Sequence, residues 1–499
     1  MAVGDARPEI PGNGDAQVLA LARRLLVEHD PGSDHHARGL ALLEQATTGA
    51  SAAEACWLLG AYHLMSARDA QSPSRALHWL ERAGTLGHPR ALDRLADLCL
   101  QGLAVPADPA RALDLHRALA ARGLAGNAWQ VGYLLDCGEI HGIARDPSAA
   151  AAAFALACAL GHPAAFHSLG LRTARGLGLR RDPALGRALL LRAADAGWPG
   201  ARPAADRLLT QADPQRVRHW YQSLLAAGQR AAPVLRRLAD PVADPGHSEQ
   251  LVVAAVAAFA AIGHPGLVLD HDGRLRAVGG DPGAEPLQSA APRPWRWLCQ
   301  RPRVASSEHF ASQEECGHLM AAVAPWLAGA RSFHGPASEN DDAELEKFDG
   351  EGCPIGGINA DAVVRTMERR IAALTGWSTR ALEPCSIIRY RPGQAYRPHV
   401  DWFSAEQVQR NLVQRGDPSG QRMATFLVYL RAPGRGGGTA YPRAGLTVAG
   451  QDGMGLIHWN VDPDGHPDPE SLHAGEPVQA GEKWLWRCTL RAAPVPPWQ

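Results

Sequence analysis

The sequence predicts a multidomain chain: an N-terminal all-α repeat solenoid followed by a C-terminal α+β double-sheet jelly roll with packed helices. Three observations predict it. Glycines at 87, 123, 161 and 197 recur at intervals of 36, 38 and 36 residues, the mark of stacked supersecondary units. After Pro384 the pattern changes to short apolar or alternating runs parted by Gly, Pro and Asp, which read as strands. At 499 residues the chain also exceeds what one core can hold, since single cores stop growing near ~250–300 residues.

The repeat carries a second mark in phase with the first. Ser72, Asp108, Asp146 and Asp182, each followed by Pro, stand 15 residues before those glycines. Asp or Ser at a helix N-cap accepts an orphan N–H, and Pro at the first helical position loses nothing by lacking its own. Glycine then supplies the left-handed stop. Between them lies a helix of about 13 residues, such as 110–122, and the residues after each glycine, such as 89–100 and 163–171, form the second helix of a pair. The same 15-residue offset links Asp34 to Gly49 and Asp213 to Gly228, giving six units, the last step shortened to 31. Gly186 departs from the pattern by replacing an Ala. This predicts a segment 1–32, a solenoid over 33–240, a connector over 241–301 and a C-terminal domain over 302–499. The connector holds Pro/Gly/Asp clusters, one short helix at 249–262 and a hairpin around His271-Asp272-Gly273.

In the C-terminal domain, Ser312 with Glu315 three residues on forms a capping box for a helix over 312–330. A second helix spans 361–374, with Asn359 or Asp361 as its cap. Strands follow at 385–390, 424–430, 455–460 and 483–490. Helices first and many short strands after them give the jelly roll.

The chemistry lies among these strands. His399 and Asp401 are two apart, so on a strand they share a face, and His473 follows 72 residues after that Asp. Two His and one carboxylate form the facial triad of non-haem Fe(II) oxygenases, with three metal positions left open. The chain has 50 Lys+Arg, yet Lys occurs only at 347 and 483. Lys483, ten residues past His473, is a compact charge placed to hold the far carboxylate of 2-oxoglutarate. A second His-x-Asp, His466 to Asp468, sits in a turn-rich loop and reads as structural. The carboxylate at Asp401 argues against a halogenase.

The run YRPGQAYRPHVDWF at 390–403 resembles the YxxGQxYxPHxDxF stretch of prolyl 4-hydroxylases, members of the 2-oxoglutarate- and Fe(II)-dependent oxygenases. RMATFLVYL at 422–430, GGGTAYP at 436–442, SLHAGEPV at 471–478 and GEKW at 481–484 continue the resemblance in order, over about 305–492. It implies a double-stranded β-helix, Fe(II), 2-oxoglutarate and ascorbate dependence, and hydroxylation of proline in a peptide or protein. By position it implies His399, Asp401 and His473 as iron ligands, Lys483, Tyr390 and Thr439 around 2-oxoglutarate, and Tyr396 and Arg422 near the substrate. His458 departs from the family's apolar aromatic and reads as a packed His, and Thr489 departs from a second Trp. Gly438 replaces a common Glu, and the family's Arg-Thr-Ser stretch is absent around 348–358. Trp484, Trp486, Tyr429 and Tyr441 read as core. The 36–38 period resembles Sel-one-like repeats, which implies a protein partner bound by the solenoid.

Composition bounds the rest. The net charge of −1 and the absence of a basic stripe interleaved with aromatics argue against a nucleic-acid partner. Nine Cys without CxxC pairs read as free thiols in a reducing compartment. The polar 1–13 stretch predicts no signal peptide, and the longest apolar run, the 12 residues 251–262, is too short to span a bilayer. A cytoplasmic location is the expectation. Two alternatives stay open: an interaction scaffold with a degenerate oxygenase domain, and a hydroxylase of a free amino acid or small molecule.

Overall fold

The computed structural model describes residues 15–29, 33–65, 72–102, 105–208, 266–269, 275–282, 284, 294–327, 350–355, 360–415 and 417–495. They fall into two compact units, one within 1–119 and the other within 120–497. The first holds helices α1 (Asp15–Glu28), α2 (Asp34–Ala46), α3 (Ala52–Met65), α4 (Ser72–Thr85) and α5 (Pro89–Gln101), and α6 (Pro109–Ala121) begins in it. Leu19, Leu25, Leu42, Leu43 and Leu59 fill the core at its N-terminal end, so no single helix buries its apolar face alone.

The repeat punctuation works as its chemistry requires. Asp108, Asp146 and Asp182 accept the backbone N–H three residues on, at 2.9, 2.9 and 3.0 Å. Gly87, Gly123, Gly161 and Gly197 all take positive φ, between 78° and 85°. The first unit differs by one residue. Ser33, not Asp34, is the N-cap, accepting from His36 N at 3.2 Å, and Asp34 becomes the first helical residue. Its carboxylate there faces the positive end of the helix dipole. Ser72 likewise opens its helix and is buried. The sixth unit at 213–228 and the helix at 249–262 lie outside the described residues.

The second unit begins with α7 (Ala125–Cys137), α8 (Pro147–Ala159), α9 (Pro163–Arg175), α10 (Pro183–Asp195) and the short α11 (Ala201–Asp206). Gly186 explains its own departure from Ala. A Cβ there would lie 2.7 Å from Ala174 N and 2.7 Å from Gly170 O, because α9 and α10 cross in backbone contact. Ala at 186 would gain up to about 1 kcal/mol of helix propensity but costs about 1–3 kcal/mol of overpacking against rigid backbone. Gly186→Ala is therefore expected to lower the melting temperature; an unchanged or higher value would mean that the two helices separate freely.

Part of the connector belongs with the repeats. Strands β1 (Leu267–Leu269) and β2 (Leu275–Ala277) form the expected antiparallel hairpin, whose turn lies outside the described residues. Arg180 N donates to Val278 O, and Asp281 N to Gly176 O, both at 2.9 Å, tying it to the α9–α10 loop. The jelly roll in turn begins earlier than 302, since β3 (Arg296–Gln300) pairs with β4 (Arg303–Ser307).

The remaining strands are β5 (Glu351–Pro354), β6 (Ser386–Tyr390), β7 (Tyr396–His399), β8 (Arg422–Arg431), β9 (Arg435–Gly436), β10 (Thr439–Tyr441), β11 (Leu446–Val448), β12 (Gly455–Trp459), β13 (His473–Gly475), β14 (Val478–Ala480) and β15 (Lys483–Arg491). Among the described residues the large sheet runs β3-β4-β12-β8-β15-β6-β5 and the small one β11-β10-β13-β7. Ile388, Leu427, Leu456 and Leu485 from the large sheet meet Tyr441 and Val448 from the small one in the core between them. This is the double-sheet architecture that the strand pattern predicts.

Helix Gln313–Leu327 packs on β8, β5 and β6 of the large sheet, and helix Ala362–Thr375 packs against it. The capping box forms in both directions: Ser312 N donates to Glu315 Oε2 at 2.8 Å, and Glu315 N to Ser312 Oγ at 3.1 Å. Asp361 caps the second helix by accepting from Val363 N and Val364 N. The first helix also meets the repeats of this unit. Arg172 of α9, fully buried, bonds both Asp136 of α7 and Glu314. Glu315 accepts from Tyr133 at 2.6 Å and from Arg370 at 2.8 Å, while His318 stacks on Trp129 with centroids 4.5 Å apart. These charges are paired and hydrogen-bonded, the condition under which burial is tolerable.

Candidate metal centre

Strand pairing assembles the site. His399 on β7 and His473 on β13 are register partners across the small sheet. β7 ends at His399, so Asp401 reaches the same face from the following loop and not from the strand itself. Asp401 Oδ1 lies 3.6 Å from His399 Nε2, and its Oδ2 3.7 Å from His473 Nε2. Among the described residues these three form a group whose ligand atoms lie within 4.8 Å of one another.

The surroundings set the donors for a divalent metal. His399 Nδ1 donates to Arg397 O at 2.9 Å and His473 Nδ1 to Ser471 O at 3.0 Å, which leaves both Nε2 lone pairs facing the centre. Burial pushes the pKa of both imidazoles down, that of His473 well below the usual range, and favours the neutral form a metal needs. Burial works against the Asp401 carboxylate, but His473, His458 and His399 around it hold its pKa well below the usual range. Thr425 Oγ1 donates to Asp401 Oδ2 at 2.6 Å and is itself held by Asn460 Nδ2 at 3.2 Å. Two neutral imidazoles and one anchored carboxylate on one face fit Fe(II) with open positions.

The other named residues gather around this group, with one exception. Tyr390, Tyr396, Thr439 and Lys483 line the same cavity as the triad. Lys483 is the register partner of Tyr390 across β15–β6, and its Nζ lies 5.5 Å from the Tyr390 ring centroid and 5.2 Å from that of Tyr429. Thr439 is hydrogen-bonded to Tyr429 OH at 2.6 Å. Tyr396 stacks on His399 with centroids 3.7 Å apart. Arg422 is the exception. Its guanidinium binds Glu383 at 2.9 Å through both Nε and Nη2 and is not part of the cavity lining.

His458 is buried, as a packed His should be, but it packs against the triad. Its Nε2 stands 3.5 Å from Asp401 Oδ2, its Nδ1 3.0 Å from Tyr441 OH, and its ring 4.2 Å from that of His473. Sequence reasoning missed this, together with Thr425 and Arg487, which also lines the cavity. A His at the centre of an apolar strand, in register with Thr425, was the available signal. Trp484 and Trp486 alternate with the cavity-facing residues of β15 and are core, as expected. His466 is exposed, near Asp462 and Asp464, in a loop held by backbone bonds to Asp462.

Lys483 is 2 % exposed, and burial brings its pKa down to about 7 against a small opposing pull from Glu476. The folded, ligand-free protein therefore holds this proton less tightly than the unfolded chain. That cost to stability is relieved as pH rises between about 7 and 10.5. A bound carboxylate needs the ammonium form. The affinity for 2-oxoglutarate is thus expected to fall above pH ~7 by up to ~10-fold per unit. Binding titrations between pH 6.5 and 8.5 test this, and a flat profile would remove the Lys483 charge from the binding step.

The 2OG-Fe(II) oxygenase superfamily profile matches residues 385–489, and Sel1 repeats match 53–88, 89–124, 128–162 and 165–198. The chain belongs to the 2-oxoglutarate- and Fe(II)-dependent oxygenases, within the prolyl 4-hydroxylase family. It is 31% identical over 206 residues to a probable prolyl 4-hydroxylase 3 of Arabidopsis thaliana, covering 38% of this chain and 68% of that one. It is 30% identical over 187 residues to prolyl 4-hydroxylase subunit alpha-3 of Rattus norvegicus, covering 37% of this chain and 33% of the relative. Among solved structures, a viral collagen prolyl hydroxylase from Paramecium Bursaria Chlorella virus-1 aligns at 24% identity and TM-score 0.31, over 39% of this chain and 99% of its own. A Sel1 repeat protein from Oxalobacter formigenes aligns at 22% and 0.33, over 50% and 63%. The protein is a 2-oxoglutarate-dependent dioxygenase that uses Fe(II). Among the described residues no helix is long and apolar enough to cross a membrane.

Proposed function

We propose that this dioxygenase hydroxylates proline in a peptide or protein that the helical repeats help to recruit. The observation that carries the reading is the meeting, in one cavity, of the His399–Asp401–His473 group with the buried Lys483 ammonium. Iron bound there would couple oxidative decarboxylation of 2-oxoglutarate by O2, giving succinate and CO2, to insertion of one oxygen atom into a substrate C–H. His399, Asp401 and His473 would hold the metal, with positions left open for cosubstrate and O2. Lys483 would fix the far carboxylate, with Tyr390 and Thr439 shaping the cavity around it. Thr425 keeps Asp401 oriented, and the apolar walls of Ile388, Leu427 and Leu485 limit water around the reacting groups. The family likeness supports proline as the target, and the Sel1 repeats support a protein partner.

The test is turnover of 2-oxoglutarate by the full chain with Fe(II) and ascorbate, with and without proline-containing peptides, following succinate and hydroxyproline together. Peptide-stimulated succinate matched by hydroxyproline is expected. Succinate without any hydroxylated proline would redirect the substrate assignment.

A further inference from the structure

Arg487 lies in the cavity without a role in the scheme above. Alternate residues of β15 face the same side, so Lys483, Leu485 and Arg487 all line the cavity while Trp484 and Trp486 face away. Four residues separate the two cations, roughly 13 Å of strand. A 2-oxoglutarate with its far carboxylate at Lys483 and its other carboxylate on the metal would have both charges engaged, which leaves Arg487 for another anion.

The neighbouring arginines are engaged elsewhere. Arg422 and Arg491 share Glu383 at 2.9 Å each, and Arg491 also binds Asp417 at 3.0 Å. Glu383 lowers its pKa chiefly through Arg422 and Arg491 against the effect of burial, with only a minor contribution from Arg487. Arg487 is half-buried, and among the described residues its side chain makes no hydrogen bond or ion pair. Its charge also reaches the metal centre, where it helps to depress His399 behind the larger effect of burial. A partly desolvated guanidinium without a partner among the described residues is costly, and a carboxylate satisfies its planar fork with two parallel bonds.

We infer that Arg487 receives a carboxylate of the substrate beside the reacting C–H, so that this hydroxylase selects anionic substrates. The inference rests on the proline-hydroxylase reading. The carboxylate has two sources: the terminal carboxylate of proline or a C-terminal proline, or an Asp or Glu side chain flanking an internal one.

The experiment compares matched substrates on the full chain with Fe(II) and 2-oxoglutarate. One arm sets N-acetylproline and peptides ending in proline against their amides. The other sets amidated peptides with Asp or Glu beside an internal proline against Asn or Gln versions. Wild type is expected to favour the carboxylate member of one arm by on the order of 10- to 100-fold in kcat/KM, the range of hydrogen bonds to charged groups. The responding arm names the source. Arg487→Gln should reduce that preference to less than about 2-fold and Arg487→Lys should restore part of it, with the 2-oxoglutarate KM within about 2-fold of wild type throughout. Equal use of acid and amide by wild type, or an undiminished preference in Arg487→Gln, overturns the inference. A raised 2-oxoglutarate KM in both variants also overturns it, by assigning Arg487 to the cosubstrate. If no substrate is hydroxylated while 2-oxoglutarate binds and the metal is present, the proline-hydroxylase reading falls and this inference with it. Hydroxylation indifferent to the carboxylate defeats the inference alone.

Discussion

Replacing His399 by Ala is expected to abolish 2-oxoglutarate turnover while leaving the helical repeats folded. The residue supplies one of three metal donors, with its Nδ1 committed to Arg397 O and its Nε2 directed at the centre. Losing a group that only orients a ligand costs about 10–100-fold, so losing the ligand itself should cost at least on the order of 10³-fold. Succinate release, Fe(II) content and the far-ultraviolet helical signal together check this. Persisting succinate formation with intact folding would show that the triad is not the metal centre.

The second large effect belongs to Lys483. Lys483→Ala removes the cation that would pair with the far carboxylate of 2-oxoglutarate, leaving that carboxylate in a cavity walled by Tyr390, Leu427 and Leu485. Breaking a buried pair by removing one partner costs roughly 3–5 kcal/mol, or a KM for 2-oxoglutarate raised on the order of 10²- to 10³-fold. Lys483→Arg is not a conservative repair, since a planar fork must fit where a compact ammonium stood. An unchanged KM in Lys483→Ala would show that another group holds the cosubstrate.

The legible part of this protein was the part whose chemistry is local in sequence. His399 and Asp401 are two residues apart, and the repeat punctuation needs only a cap, a Pro and a Gly at fixed offsets. The strand pattern around 385–490 was legible because burial imposes its own period. What escaped depends on register between distant segments. His458 reaches Asp401 because β12 lies beside β8, bringing it opposite Thr425. Arg487 enters the cavity because the alternation of β15 continues past Lys483. Arg422 is a further case: its motif suggests substrate contact, and the structure adds a bond to Glu383, 39 residues away, that the motif does not show. The boundary at 302 missed β3 because a largely exposed five-residue strand with a single aromatic residue gives little periodic signal.

His399, Asp401, His473 and Lys483 are expected to bind Fe(II) and 2-oxoglutarate together. Anaerobic titration of the purified full chain with Fe(II) and then 2-oxoglutarate tests it most directly, through the weak visible charge-transfer band of a chelated keto acid. A saturable band is expected that is absent in His399→Ala and needs far more 2-oxoglutarate in Lys483→Ala. A well-folded, iron-loaded protein that shows no band at saturating 2-oxoglutarate would contradict it.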